Sequence, residues 1–471
     1  MTLLSIGLDR ARKTPLATQI YASIREAIES GKLSAHAKLP SWRDLSAQLG
    51  VSRGTVRIAY ERLIDEQLAI GLGAAGTRVS ERPMVPAARA WLPAPTPTPM
   101  LDLFHDFGST PLAFQMGVPA QDVFPYKMWS RIMARGARHA AAAPVGYPDP
   151  RGAPELRREI AAYLSIARGL RCSPSQVLVT AGFSGALGLV TRGLGLEGRT
   201  AWFEDPGFPL TRTALAMAGL KTVPVPVDEE GLDVAAGMVI APDAALAVVT
   251  PGQQAPLGMT MSLARRRALL EWARRNDAWI VEDDYLSELQ LQGRAAPALA
   301  SLENGGRVLH IGSFSKTISP ALRLGFVVVP PQLEDHFGEL TACLAPAPAS
   351  ATQFAVASFL REGHYLRHLR RMKRVYAERR QALLRCLREV AVDALEVQAT
   401  AGMAVVTRIR ADAPDTDIVL RALPFGLAPA PLSPWYAQAP RPRGLLLGVT
   451  NVDERRLAVD CQRLAELVRQ A

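Results

Sequence analysis

The chain has 471 residues, 48% of them hydrophobic and 21% charged, which is length for two or more folding units and too apolar for global disorder. No apolar run reaches the roughly 18 residues of a spanning helix, the N-terminus lacks the order of a signal peptide, and Cys172, Cys343, Cys386 and Cys461 show no CxxC spacing, so a membrane span, a disulfide scaffold and a zinc finger are excluded and a reducing cytoplasm is expected. What composition leaves open is charge: 54 Lys+Arg against 44 Asp+Glu, a net +10 that suits nucleic acid, acidic ligands or solubility alone.

The surplus is uneven. Residues 1–80 hold 11 Lys/Arg and 7 Asp/Glu, several times more basic per residue than the segment 101–471. Within this head, Thr14-Pro15 suits a helix start, and Leu16, Ile20, Ile24 and Ile28 recur at helical spacing until Gly31. Ser41 is placed to cap a second helix carrying Leu45 and Leu49. A break at Gly50-Val51-Ser52 then leads into a third helix, about Arg53–Glu66, with Val56, Ala59, Tyr60 and Leu63 inward. Two short helices joined by a glycine-containing turn form a helix-turn-helix, whose second helix enters the DNA major groove. Ser52, Arg53, Thr55 and Arg57 lie where base edges and phosphates are reached, and Arg43 suits a backbone phosphate. A three-helix bundle with a solvated basic face reads the same spacing. Residues 81–100 follow with six prolines in twenty positions, which predicts a semi-rigid linker between two domains.

From about residue 150 apolar strand-like runs alternate with helical segments: Val177–Thr180, Thr200–Phe203, Ala247–Val249, Trp279–Val281, Val308–Ile311 and Gly325–Val329. This predicts an α/β body with a mainly parallel sheet, whose ligands bind beyond the carboxyl ends of the strands. Three motifs fall there. In Gly312-Ser313-Phe314-Ser315-Lys316, with Arg323 seven residues on, a lysine able to condense with a carbonyl accompanies a phosphate-binding set. Surface lysines in short serine-rich loops read the same way. Glu282-Asp283-Asp284-Tyr285 ends a strand with a carboxylate able to hold a pyridinium nitrogen; acid pairs at strand ends also bind metals, but no His or Cys cluster accompanies this one, and no metal is expected. Thr180-Ala181-Gly182-Phe183-Ser184-Gly185 turns from strand to helix, so its backbone donors could hold an anion or could simply serve close packing.

The stretch Lys38–Leu63, KLPSWRDLSAQLGVSRGTVRIAYERL, resembles the winged-helix regulators of the GntR family almost throughout. The resemblance implies DNA binding and a wing at Leu68–Ser80, whose tip Gly73-Ala74-Ala75-Gly76 carries no basic residue of its own. The three body motifs, together with Gly146–Gly152, Glu204–Phe208 and Thr250–Gln254, resemble fold-type I aminotransferases, which bind pyridoxal phosphate (PLP). That resemblance implies Lys316 as the lysine carrying PLP as a Schiff base, Asp283 as the pyridinium partner, Tyr285 on the ring hydroxyl and Phe208 stacked on the ring. It also implies Ser184, Gly185, Ser313, Ser315 and Arg323 around the phosphate, and Tyr147 reaching the phosphate of a neighbouring subunit.

A GntR-like head on an aminotransferase-like body is similar to the MocR subfamily of transcription regulators, which implies a homodimer with heads and bodies exchanged head to tail. The double-stranded DNA operator and a small amino compound, or PLP itself, are the implied partners. Departures bear on chemistry: Ala255 stands where the family has a ring-bonding tyrosine, Gln253 replaces an imidazole, and Gly444 stands where aminotransferases hold the substrate carboxylate with arginine. Arg443 or Arg441 substitutes only with a register shift. The expectation is a degenerate sensor capable at most of half-transamination, and the alternative is an active aminotransferase with an appended DNA-binding module.

Overall fold

The computed structural model describes residues 6–81, 111–142, 146–291, 293, 295–303, 306–391, 393–410 and 412–471. The chain divides into two compact units, Met1–Asp102 and Leu103–Ala471. The proline-rich segment 81–100 lies, apart from Glu81, outside the described residues.

The first unit holds helices α1 (Leu16–Glu29), α2 (Trp42–Leu49) and α3 (Arg53–Asp65), followed by a hairpin of β1 (Ala69–Gly71) and β2 (Thr77–Val79). The inward faces anticipated from spacing supply its core: Ile20, Ile24, Leu45, Val56, Tyr60 and Leu63 are all buried. Ser41 and Ser52 cap α2 and α3 by accepting from Asp44 N and Thr55 N, each satisfying a helix donor that otherwise has no partner. Between these helices Gly50 sits at φ +62, a conformation costly for any residue with a Cβ.

In the second unit α4 (Tyr126–Ala141), α5 (Pro154–Arg168), α6 (Gly182–Gly193), α7 (Pro209–Met217), α8 (Val234–Ile240), α9 (Leu263–Arg275), α10 (Glu334–Leu344), α11 (Ser350–Arg361) and α12 (His364–Val390) accompany an eight-stranded sheet. Its strands are β3 (Val177–Thr180), β4 (Thr200–Asp205), β5 (Lys221–Asp228), β6 (Gly231–Leu232), β7 (Leu246–Val249), β8 (Trp279–Asp284), β9 (Val308–Ser313) and β10 (Gly325–Val328), in the order β3-β10-β9-β8-β7-β4-β5-β6. Strands β5, β4, β7, β8 and β9 run parallel. Strand β10 runs antiparallel to both neighbours, because the short Arg323 turn returns the chain directly instead of through a crossover helix. Strand β5 was not legible in the sequence, since Pro224 and Pro226 cannot donate to a ladder; they are tolerated because β6 pairs only with Val227 and Asp228, beyond them. A smaller antiparallel sheet combines β11 (Leu395–Ala401), β12 (Ala404–Ile409), β13 (Ala430–Pro431) and β14 (Gly444–Gly448), with α13 (Asp415–Ala422) and α14 (Leu457–Arg469), in the order β11-β12-β14-β13.

Candidate functional site

In the head, the residues anticipated for DNA lie in the first turns of α2 and α3. Arg43, Ser52, Arg53 and Arg57 are exposed, and Thr55 is half-buried. Ser52 and Thr55 face each other at 2.9 Å between hydroxyls, so both are partly committed to the cap. Arg57 shares its charge with Glu61 at 3.5 Å. Two further cations take positions that spacing does not give. Arg10 donates to the Gly50 carbonyl at 2.9 Å, which places it on the turn between α2 and α3. Lys38 bridges to Arg78 beside β2, and its side chain reaches the wing tip, 3.2 Å from where a Cβ on Gly76 would stand. The wing thus acquires a basic residue from well upstream of its tip, through strand pairing alone.

In the body, β8 and β9 end side by side, with Asp283 in register with Ile311. Lys316 follows β9 by three residues, and its Nζ donates to the carbonyl of Gly117 at 2.9 Å. Burial lowers the Lys316 pKa while Asp283 opposes, so the amine loses its proton more easily than a surface lysine. Asp283 is buried and pushed well above the ordinary carboxylate range by burial and by the carboxylates of Asp284 and Glu204, with Lys316 alone among its main influences pulling it down. A cationic ring nitrogen beside Asp283 would supply the positive charge that this site lacks. Burial raises Tyr285 in the same way, and it packs, as does Phe208, against the apolar cluster that holds Ala255.

The anion cradle is equally distinct. Helix α6 starts at Gly182 immediately after β3, and no side chain caps its first turn, where Ser184 is exposed and Gly185 follows. Arg323, held at φ +47, donates to Ala181 O at 3.3 Å and stands 3.5 Å from where a Cβ on Gly182 would lie. Free helix donors and a guanidinium therefore converge on one point, as a phosphate requires. Ser313 and Ser315 bond each other at 2.9 Å in the intervening loop. An amine after β9, a buried carboxylate at the end of β8 and an anion cradle after β3 are the donor set that PLP needs, and the residues fit it.

Other walls came only from the fold. Glu204, at the end of β4, accepts from Thr250 N at 3.0 Å and Thr250 Oγ1 at 2.5 Å, and burial lifts its pKa to about 7 against those bonds. In the sequence it stands only as the first residue of the aminotransferase-like stretch Glu204–Phe208, with no role of its own. Trp435 packs on Phe208 with ring centres 5.6 Å apart, and its carbonyl accepts from Gly207 N at 3.0 Å. A cavity of about 20 Å³, room for little more than one water, lies between Phe208, Glu204 and Asp283.

Not every anticipated residue joins this cluster. Tyr147 stands fully exposed, away from its own chain's pocket. Arg443 is exposed and donates to the carbonyl of Asp412. Gly444 pairs with Arg408 across the ladder, and a Cβ there would collide with the Thr407 carbonyl and stand 2.9 Å from Leu432 Cδ2. Gln253 is buried against the β11–β12 turn at Gly402 with its Oε1 unpartnered, and Ala255 lies in an apolar cluster with Trp435, Val406 and Leu446.

A family model described as bacterial regulatory proteins of the gntR family matches residues 16–79, and the aminotransferase class I and II model matches residues 123–424. A protein of Rhizobium meliloti described as the probable rhizopine catabolism regulatory protein MocR is 37% identical over 458 residues, spanning 95% of this chain and 92% of that one. The pyridoxine biosynthesis transcriptional regulator PdxR of Corynebacterium glutamicum is 31% identical over 456 residues, spanning 96% and 95%. Among solved structures, the α-aminoadipate aminotransferase LysN of Thermus thermophilus, complexed with N-(5'-phosphopyridoxyl)-L-leucine, superposes with a TM-score of 0.68 at 28% identity over 80% of this chain and 95% of that one. An archaeal alanine:glyoxylate aminotransferase superposes with a TM-score of 0.70 at 26% identity, over 77% and 92%. A gntR head and a class I and II body thus meet in one chain that aligns with MocR along nearly its whole length, and the chain belongs to the MocR-type GntR regulators, whose aminotransferase-like body is PLP-dependent.

Proposed function

We propose that this protein binds a double-stranded DNA operator through the start of α3 and reports to it the state of a PLP-holding body. The observation carrying this reading is the pairing of Lys316, Asp283 and Arg323 with a Gly444 position that has no room for a carboxylate-binding arginine. PLP, when bound, supplies an aldehyde that condenses with amines. The chain's own residues do the rest. Asp283 would hold the proton of the ring nitrogen, Phe208 would cover the ring, and Arg323 with the start of α6 and Ser184, Gly185, Ser313 and Ser315 would hold the phosphate. Lys316 offers a readily deprotonated amine, and Tyr147 would reach the partner's cofactor in a head-to-tail homodimer in the cytoplasm.

Coupling has a physical route. Any ligand that engages the Lys316 amine competes with the Gly117 carbonyl for it. Gly117 lies in a strap that bridges the smaller sheet at Phe114–Gly448 and is tied on by Thr450 Oγ1 donating to Val118 O at 2.6 Å. That strap is the first described stretch of the body after the proline-rich segment. A ligand shifts such an equilibrium only by its differential affinity for the two arrangements. An amino-compound effector, or PLP itself, is therefore read through contacts that move, and Trp435, in the segment 423–443 beside Phe208, is one. Operator affinity measured with and without PLP and a panel of amines tests this; an affinity indifferent to all of them overturns it. The retained Lys316, Asp283 and Arg323 also favour a second reading, turnover as an aminotransferase, and multiple cycles between an amino acid and a keto acid would establish it.

A further inference from the structure

Helix α12 opens on a cluster that the cofactor site does not use. It carries nine Lys/Arg against two Glu, a larger surplus than the +5 of the whole segment 101–471. His364, Arg367, His368 and Arg371 recur at i, i+3, i+4 and i+7, so one helical face presents all four. With Val123 and Met128 opposite, they line a cavity of about 250 Å³.

His368 lies at its floor, 4% exposed. Its Nε2 is 2.8 Å from the carbonyl oxygen of Thr317, which can only accept, so Nε2 carries the hydrogen and Nδ1 is a lone pair. That Nδ1 is buried with no partner. Burial pushes the ring's pKa down to about 4, so the neutral form persists near neutral pH. Arg371 has no hydrogen-bond or ion-pair partner among the described residues. Arg367 donates to the Glu362 and Gly363 carbonyls at 3.2 Å each and lies 2.7 Å from His364 Nδ1. The flanking carboxylates are already held, Glu362 by Arg135 at 2.6 Å and His364 at 3.3 Å, and Asp122 by Arg379 at 2.5 Å. The cavity thus offers unneutralised guanidinium charge beside a buried acceptor.

We propose that this cavity is a second small-molecule site, for inorganic phosphate or a phosphate monoester. The oxyanion faces Arg371 and Arg367, and its acidic hydrogen is donated to Nδ1 of His368. A carboxylate or sulfate offers charge but no such hydrogen at neutral pH, whereas inorganic phosphate keeps at least one there and a phosphate monoester, with its second ionisation near pH 6, keeps or shares one. The site is wired to the cofactor lysine, since His368 holds the Thr317 carbonyl and Tyr365 donates to Thr317 Oγ1 at 3.1 Å, one residue beyond Lys316.

The test uses the PLP-loaded full chain, so that the cofactor's own phosphate cradle is filled. Calorimetric titration with sodium phosphate at pH 6.5, against sodium chloride at matched ionic strength, is expected to show one saturable site per chain. Arg371→Gln weakens it at least tenfold, and so does Met128→Glu, which sets a carboxylate at the exposed rim; both keep the wild-type PLP absorption band without phosphate, which reports a folded body. Sulfate binds at least fivefold more weakly, and the PLP band moves as phosphate fills the site. No saturable binding, or wild-type affinity in both variants, overturns the site. Equal affinity for sulfate overturns the role of Nδ1, and an unmoved band overturns the link to Lys316. A phosphate monoester binding tighter than inorganic phosphate identifies the organic source of the ligand; equal affinity identifies the free anion.

Discussion

Restoring the arginine that aminotransferases use for a substrate carboxylate should damage this protein rather than repair it. Gly444 lies in β14, whose neighbour β12 is an inner strand held on both sides. A Cβ at 444 meets the Thr407 carbonyl of β12 well inside van der Waals contact and Leu432 Cδ2 at 2.9 Å. Leu432 can rotate, but the carbonyl moves only with its strand. The Gly444 amide is also engaged, 3.2 Å from Asp415 Oδ2. Overpacking of this kind costs about 1–3 kcal/mol, and each ladder bond loosened adds roughly 1 kcal/mol, so Gly444→Ala should cost about 3 kcal/mol. At roughly 2–4 °C per kcal/mol for a domain of 150–250 residues, and less for a unit as large as Leu103–Ala471, the melting temperature should fall by at most about 6–12 °C. Gly444→Arg should fall further, since the guanidinium has no placed partner, and should gain no turnover of an amino acid with a keto acid. Thermal unfolding of the two PLP-loaded variants, with cofactor absorbance followed during attempted turnover, checks both points. A Gly444→Arg protein as stable as wild type and cycling repeatedly would refute the steric argument and revive the enzyme reading.

Three further outcomes are expected. Arg323→Gly removes a positive-φ strain at an exposed residue together with the guanidinium of the cradle, so stability should hold or rise by up to about 1 kcal/mol while PLP affinity drops about 10- to 100-fold; a less stable protein with unchanged PLP affinity contradicts the assignment. Glu204 binds its proton more tightly folded than unfolded, so its contribution is complete below its ordinary value of 4.5 and lost as pH rises through about 7, at most about 3 kcal/mol; Glu204→Gln should flatten that part of the decline in denaturation midpoints, and an unaltered pH slope counts against it. In the head, Arg53→Ala should weaken operator binding more than Arg57→Ala, whose charge is already shared with Glu61, and a phosphate contact should lower the salt slope by about 1; equal losses would show the ion pair to be irrelevant to binding.

The legible parts of this protein are those in which local chemistry and global position coincide. Capping serines, the Gly50 break and 3.6-residue periodicity determine α2 and α3, because a capped amphipathic helix needs little from the rest of the chain to specify it. Ligand groups at strand ends were legible for the same reason: Asp283 and Lys316 follow apolar runs, and a parallel sheet has one ligand-binding edge. Strand β5 was not, because its prolines are acceptable only beside a two-residue neighbour.

By itself, the sequence determined two modules, a DNA-reading head and a lysine–carboxylate–arginine set in an α/β body, since each is written in residues a few positions apart. Tertiary structure decided what lies between distant segments. It brings Lys38 to the wing, Gly117 onto Lys316, Trp435 onto Phe208 and Glu204 onto Thr250, and it closes position 444 to any side chain. The cause is general. Periodicity reports which face of an element is apolar, whereas a collision with a carbonyl or a bond to a buried amine depends on partners far away in the chain, whose positions exist only once the sheets have formed.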